Sequence, residues 1–378
     1  MSAAPDVIVI GAGIVGAACA RALQAAGMSV AIVDASEPGA GATGAGMGHL
    51  VALDETADEL DLCLLSLGLW RDFFAEHPNV GEPHHCGTLW VAEDERQLAH
   101  AHARAERLTG RGWDAVAVNP AKLAQIEPAL RRGLCGGVHV RADSVVYPPT
   151  VARALVDQVV ERGGVFHTRR RVAAIEAGSV LLHDGARLRA RHVVLAAGAA
   201  AAALLPGLPV FPRKGHLAVS DRYPGTLSHQ VVSMGYGQSA AGADALAVAA
   251  NVQPRPTGQW LIGSCRQDGV HDSAVDPAVL AKVLQSAIAL LPCLGRMRII
   301  RAWTGMRPAT PDGRPLIGPH PSRPGLWLAA GHEGLGVTTA FGTAHLLAAQ
   351  MTGRASAIAP SPYAPSRFAA MHGGRDGQ

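Results

Sequence analysis

The sequence predicts an α/β protein in which a Rossmann-like domain is interleaved with a mixed α+β domain carrying an antiparallel sheet. Three observations carry that expectation. The apolar run Val7–Ile10 leads directly into Gly11-Ala12-Gly13-Ile14-Val15-Gly16. Far down the chain, His192–Leu195 and then Ala196-Ala197-Gly198 repeat the pattern of an apolar run closed by small residues and glycine. Between residues 210 and 300, short alternating segments such as Leu217–Val219, Ala245–Val252 and Trp260–Ile262 are separated by turn residues (Tyr223-Pro224-Gly225, 254–258), as in an antiparallel sheet.

The chain has 378 residues, enough for two or three domains at ~100–200 residues each. With 48% hydrophobic and 17% charged residues it reads as globular rather than disordered. The net charge of +3 is spread thinly, and the densest basic cluster, Arg169-Arg170-Arg171, is too short to indicate nucleic acid. The longest apolar run, Val193–Leu205, is mostly alanine with a glycine inside, short of the ~20 residues that span a bilayer. No basic region precedes the short run Val7–Ile10, so the start does not read as a secretory signal. The cysteines form no CxxC pair, which excludes a zinc site or a cysteine-held iron–sulfur cluster and fits free thiols in a reducing cytoplasm.

In chain order, Val7–Ile10 reads as a strand covered on both faces, and residues 17–26 as a helix stopped by Gly27. Val30–Val33 is the second strand, ending at Asp34. Strand, GxGxxG, helix, strand and terminal acid together form a dinucleotide-binding fingerprint. Gly11 permits the tight turn, Gly13 lets the backbone approach a pyrophosphate, and Gly16 lets helix and strand pack closely. The helix start offers free N–H groups and a positive dipole end, and Asp34 can accept both hydroxyls of an adenosine ribose. A second glycine-rich segment, 39–49, follows where a plain NAD dehydrogenase would place its next βαβ unit. A second close approach of backbone to ligand suits the longer, extended FAD; the alternative is a flexible loop.

Further along, residues 55–74 have helical spacing, 87–91 read as a strand, 93–108 and 120–126 as helices, and 143–149 as an extended lead into a helix over 151–162. Strands are expected near 165, 171–175, 180–182 and 326–329, and helices over 277–291 and 337–351. The tail beyond Pro360 has no periodicity and reads as surface or disordered. The domains are expected to interleave: 1–50, 150–205 and 303–360 for the cofactor, 51–149 and 206–302 for the substrate, and 361–378 as a tail.

The fingerprint with Asp34, the 41–48 loop, the run 194–198, Gly305-Met306-Arg307-Pro308-Ala309-Thr310-Pro311-Asp312-Gly313 and the glycine-rich 331–336 occur in the order found in the D-amino-acid oxidase superfamily, which the chain resembles over nearly its whole length. Segments 212–217, 221–225 and 251–259 look most like the flavin subunits of heteromeric dehydrogenases acting on D-hydroxyproline. The resemblance implies FAD-dependent oxidation of the C–N bond of a small amino or imino acid, by hydride transfer to flavin N5. It leaves open a peroxide-forming oxidase of the glycine or sarcosine type, or a non-catalytic flavin subunit that passes electrons. It also implies partner subunits carrying a second flavin or an iron–sulfur cluster.

By the same resemblance, FAD would lie along Gly11, Gly13, Ile14, Val15 and Gly16, then Asp34 and Ala35, then Ala42, Thr43, Ala45, Gly46, Met47 and Gly48. Val172 would clamp the adenine through its backbone, and Ala196, Ala197 and Gly198 would close that side. Gly331, Gly334, Leu335, Gly336, Val337 and Thr338 would aim a helix start at the flavin ring, where negative charge develops on reduction. Arg307 would both line the FAD site and hold the substrate carboxylate bidentately beside the flavin, the alternative being a structural salt bridge. His49, His216 and His332 stand near these motifs, and each is either a pocket group or a packed structural histidine. Met47 and Tyr236 are pocket walls or packing residues. Lys214 either stands near the flavin or is a surface lysine.

Overall fold

The computed structural model describes residues 4–235 and 246–371, with side chains described to residue 368. Two large sheets organise it. The first has six strands in the order Leu316–Pro319, Leu326–Ala330, His192–Leu195, Val7–Ile10, Val30–Val33, Val165–His167. Its neighbours run parallel except for the hairpin at the 316 edge. Val7–Ile10 is central and wholly buried, which is why it is an unbroken β-branched run rather than an alternating one.

The second sheet has eight strands in the order Ile299–Ala309, Phe211–Arg222, Gln259–Gln267, Leu246–Pro254, Gln230–Ser233, Thr88–Ala92, Gly136–Val140, Ala115–Val118. All pairs are antiparallel except Gln230–Ser233 with Thr88–Ala92. Its edge strand crosses the boundary expected at 303: residues 299–309 pair along Phe211–Arg222, with Arg213 opposite Arg307, Gly215 opposite Gly305 and Leu217 opposite Trp303. Glycine, proline and arginine give this strand no alternating pattern, so sequence alone did not reveal it.

The helix Gly336–Thr352 packs against both the glycine-loop helix Ile14–Ala25 and the long helix Ala57–Glu76. Trp70 is 1% exposed and lies edge-on to Phe341 at 4.5 Å, with Phe73 and Phe74 around it. The Thr56 hydroxyl caps Ala57–Glu76 by accepting from the Glu59 N–H. Helix Pro148–Glu161 starts earlier than its apolar spacing suggests, because two prolines occupy its unbonded first positions. Up to residue 371 the tail is not loose. Short 3-10 turns at 361–363 and 365–371 bury Tyr363 and Phe368, and Arg367 pairs with Asp312 at 2.7 Å. A few anchoring side chains hold this segment, which periodicity cannot register.

Candidate active site

The cradle is made largely of backbone. Gly11 has φ +109°, and a Cβ there would strike the Ala196 carbonyl oxygen, while one on Gly16 would strike the carbonyl of Gly11. The N-cap of helix Ile14–Ala25 is Gly13, with no capping side chain and no acid in the first turn. The Thr43 hydroxyl accepts from the Ile14 N–H at 3.0 Å, tying the 41–48 loop to this helix start. The Asp34 carboxylate accepts from the Ala12 and Ser36 N–H groups at 2.6 and 2.8 Å, which fixes it at the rim beside Ala35. It retains lone pairs for further donors. The Asp34 carbonyl accepts from the Arg170 N–H at 2.8 Å, which brings buried Val172 to the same rim. On the other side the Ala196 N–H donates to Ile10, with Ala197 and Gly198 next along the chain.

A second helix start adjoins the first. Gly331 turns the chain at φ +79°, Glu333–Leu335 form one 3-10 turn with Gly334 inside it, and Gly336–Thr352 follows with no acid in its first turn. A Cβ on Gly336 would stand 3.9 Å from Val15. The Thr338 hydroxyl donates to the His49 carbonyl at 3.0 Å, and the Trp70 indole donates to the carbonyls of Val337 and Thr338 at 3.1 and 3.2 Å. The short helix Ala42–Ala45 and the turn at Gly46 and Gly48 lie between this cradle and the large sheet. There the Ala45 carbonyl accepts from Trp303 at 3.2 Å and the Met47 carbonyl accepts from Gln253. Two helix starts whose own N-cap residues offer no side-chain cap, glycine-bared backbone between them and a rim carboxylate fit an extended dinucleotide: anion at the first helix, electron-rich ring at the second.

Opposite the cradle, alternation along Phe211–Arg222 puts Arg213, Gly215 and Leu217 on the near face, and Lys214 and His216 on the far one. Arg307, paired with Arg213, shares the near face. Its Nη1 donates to the Cys265 carbonyl at 2.8 Å, and its guanidinium lies over Gly215, where a Cβ would stand 2.8 Å from both terminal nitrogens. Arg213 is held by Asp268 through two bonds of 2.7 and 3.0 Å. Glu333 Oε1 stands 3.6 Å from Arg266 Nε and 3.8 Å from Arg213 Nη1. Burial works against ionisation of Glu333, but the guanidinium groups of Arg307, Arg266 and Arg213 outweigh it and hold its carboxyl below the usual range. Arg213 and Arg266 each form an ion pair with a carboxylate, whereas Arg307 forms none among the described residues.

The histidines separate by environment. His49 is near-face: Nε2 lies 3.3 Å from Asn251 Oδ1, and burial, reinforced by the Arg307 charge, pushes it down to about 4, so it is neutral at pH 7. His332 is buried against the Thr343 hydroxyl at 2.9 Å and driven by burial to about 3, a packed structural histidine. His216 accepts from the Asp276 N–H at 2.9 Å on the far face, helping to start helix Pro277–Leu290. Lys214 corrects both alternatives: it is buried, faces away from the cradle and pairs with Asp272 at 2.9 Å. Met47 packs with Leu217 and Leu261 as a wall between loop and sheet. Tyr236 lies outside the described residues. Sequence reading missed Glu333, Arg213 and Asn251; the one signal available was an acid inside the glycine-rich 331–336 segment.

Over residues 6–350 the sequence matches the family described as FAD dependent oxidoreductase, DAO. The chain belongs to that family. Glycine oxidase from Pseudomonas aeruginosa is 30% identical, covering 95% of this chain and 98% of the relative. D-amino acid dehydrogenase 2 from Ralstonia nicotianae is 31% identical over 74% of this chain and 68% of the relative. The crystal structure of glycine oxidase from Geobacillus kaustophilus superposes with a TM-score of 0.86 at 25% identity, covering 96% of this chain and 98% of that one. The protein is thus a DAO-family flavoenzyme whose cofactor is FAD.

Proposed function

We propose that this DAO-family protein oxidises the C–N bond of a small amino or imino acid bearing one carboxylate, of the proline or D-hydroxyproline type. The observation that carries the reading is Arg307: a guanidinium fork on the face opposite the cradle, beside the ion-paired Arg213 and Arg266 but itself without a carboxylate partner among the described residues. A substrate carboxylate would satisfy it bidentately and fix the plane of the α-carbon. FAD held in the cradle would supply the two-electron acceptor, at N5, for a hydride leaving the α-carbon; with the amine proton passing to solvent, the substrate would be left with a C=N bond that water hydrolyses or that stays as a cyclic imine. His49 and Asn251 would line the amine side, the imidazole being uncharged and able to accept a proton in a hydrogen bond. Met47, Leu217 and Leu261 would exclude water. In this reading the six-stranded sheet with its helices is the cofactor domain, and the eight-stranded sheet is the substrate domain.

Likeness to D-amino acid dehydrogenase 2 supports a dehydrogenase, for which we propose electron delivery to a partner subunit in the cytoplasm, whereas likeness to glycine oxidase supports an oxidase, for which the acceptor would be oxygen and the product peroxide. Anaerobic bleaching of the flavin across D-, L- and N-methyl amino acids tests the substrate class; no bleaching by any of them would refute it and favour an electron-transferring subunit. Oxygen uptake during turnover, with the subunit composition of the purified protein, separates the two acceptors.

A further inference from the structure

We propose that Glu333 is a specificity-determining residue that restricts the substrate to a single carboxylate, by occupying the anion position a second carboxylate would otherwise take between Arg266 and Arg213. The inference rests on the reading of Arg307 as the carboxylate anchor.

The near face gathers three guanidinium groups at one end of the sheet. Arg213 and Arg307 stand directly opposite each other on adjacent strands, an arrangement that like charges disfavour unless counter-ions attend them. Two carboxylates do so. Asp268 engages Arg213 bidentately from the exposed side, and Glu333 reaches in from the cradle side to within 3.6 Å of Arg266 and 3.8 Å of Arg213. Three cations against two anions leave one positive charge for a ligand.

Glu333 is also held in place against its own preferences. Its backbone sits at φ +46°, unusual for a residue other than glycine, in the 3-10 turn that opens helix Gly336–Thr352. Its Oε2 accepts from the Gly334 N–H, whereas Oε1 is buried among the arginines without a hydrogen bond. The side chain is 13% exposed. Gly334 lies against the Arg307 side chain, with a Cβ there falling 3.7 Å from Arg307 Cδ and Nε. The carboxylate of Glu333 and the anchor for the ligand are therefore close neighbours in largely buried surroundings, where a second ligand carboxylate would meet Glu333 at close range.

The test is made on the FAD-loaded protein with two carboxylates that are not oxidised, acetate and malonate, titrated against the visible flavin spectrum. Wild type should bind acetate at least tenfold more tightly than malonate. Glu333→Gln should shift that ratio at least tenfold toward malonate, Glu333→Asp should return it toward wild type, and Glu333→Gln with Arg266→Met should lose the gained malonate affinity. In turnover, the kcat/KM ratio for iminodiacetate over N-methylglycine should rise by a like factor in Glu333→Gln. A wild-type protein that binds malonate as well as acetate would overturn the proposal, even if the variant does not fold. So would a Glu333→Gln protein with an unchanged ratio. Failure of wild type and of Arg307→Ala to differ in acetate binding would instead overturn the anchor itself.

Discussion

The cradle and the near face of the eight-stranded sheet meet around the 41–50 loop, yet they are built on opposite principles. The cradle presents mainly backbone: glycines at 11, 13 and 16, two helix starts without a cap from their own N-cap side chains, and one carboxylate at the rim. The sheet face presents side chains carried by four strands spread over residues 211–309, Arg213, Asn251, Arg266 and Arg307, with Glu333 brought across from the cradle. A backbone site tolerates no added atoms but is indifferent to most side-chain chemistry. A side-chain site tolerates small shape changes but fails when one charge is altered.

Substitutions can break this contrast. The largest effect is expected at Gly13, where a branched side chain would stand between the first helix start and Thr43, 3.2 Å from a built Cβ. Gly13→Val should purify without FAD, measured by flavin absorbance per chain; full occupancy would remove the pyrophosphate from this loop. Next is Arg307→Ala, which should retain FAD while kcat/KM for a carboxylate-bearing amine falls about a hundredfold or more, as expected when a charge-paired group loses its partner. Rates like those of wild type would disprove the anchor and direct attention to simple amines.

A smaller effect concerns pH. His49 and His332 have native values of about 4 and about 3 against 6.5 when unfolded, so the unfolded chain binds more protons as pH falls from 6.5 toward those values. Stability contributed by these neutral histidines is present above pH 6.5 and is lost progressively below it. Chemical denaturation between pH 7 and 4 should show this slope, and His332→Gln should flatten part of it. By the same logic, the kcat/KM profile should carry no ionisation near 6.5 that His49→Asn removes. The smallest effect is expected at Lys214, whose pairing with exposed Asp272 lies on the far face. Lys214→Met should change turnover and oxygen reactivity less than twofold; a tenfold fall in oxygen reactivity would put the lysine back beside the flavin.

The same contrast explains what could be read from sequence. The cradle was legible because its requirements are local: Gly11, Gly13, Gly16 and Asp34 fall within one strand-helix-strand unit. Gly331–Gly336 was legible for the same reason. The far half was legible only where a motif marked it, as at Arg307. That Arg213 lies across from Arg307, or that Lys214 turns its back on the site, depends on register and on alternation within a strand broken by glycine and proline, neither of which leaves a periodic trace. Glu333 was passed over because its meaning comes from Arg213 and Arg266, residues on other strands.

Gly215 and Gly305 face each other across two adjacent strands, one beneath the Arg307 guanidinium and the other against Ala45, where an added methyl would approach the alanine's own to 2.7 Å. Main chain thus abuts loop with nothing between, like a feeler gauge of fixed thickness. If Arg307 anchors the substrate as proposed, that bare contact sets how near the anchor stands to the cofactor loop, and a methyl group added at either glycine would push the two apart. Reacting atoms must approach to about 3–3.5 Å, and a displacement of about 1 Å can cost about a hundredfold in rate. In the proposed reaction, precision would therefore rest on two residues that have no side chain at all.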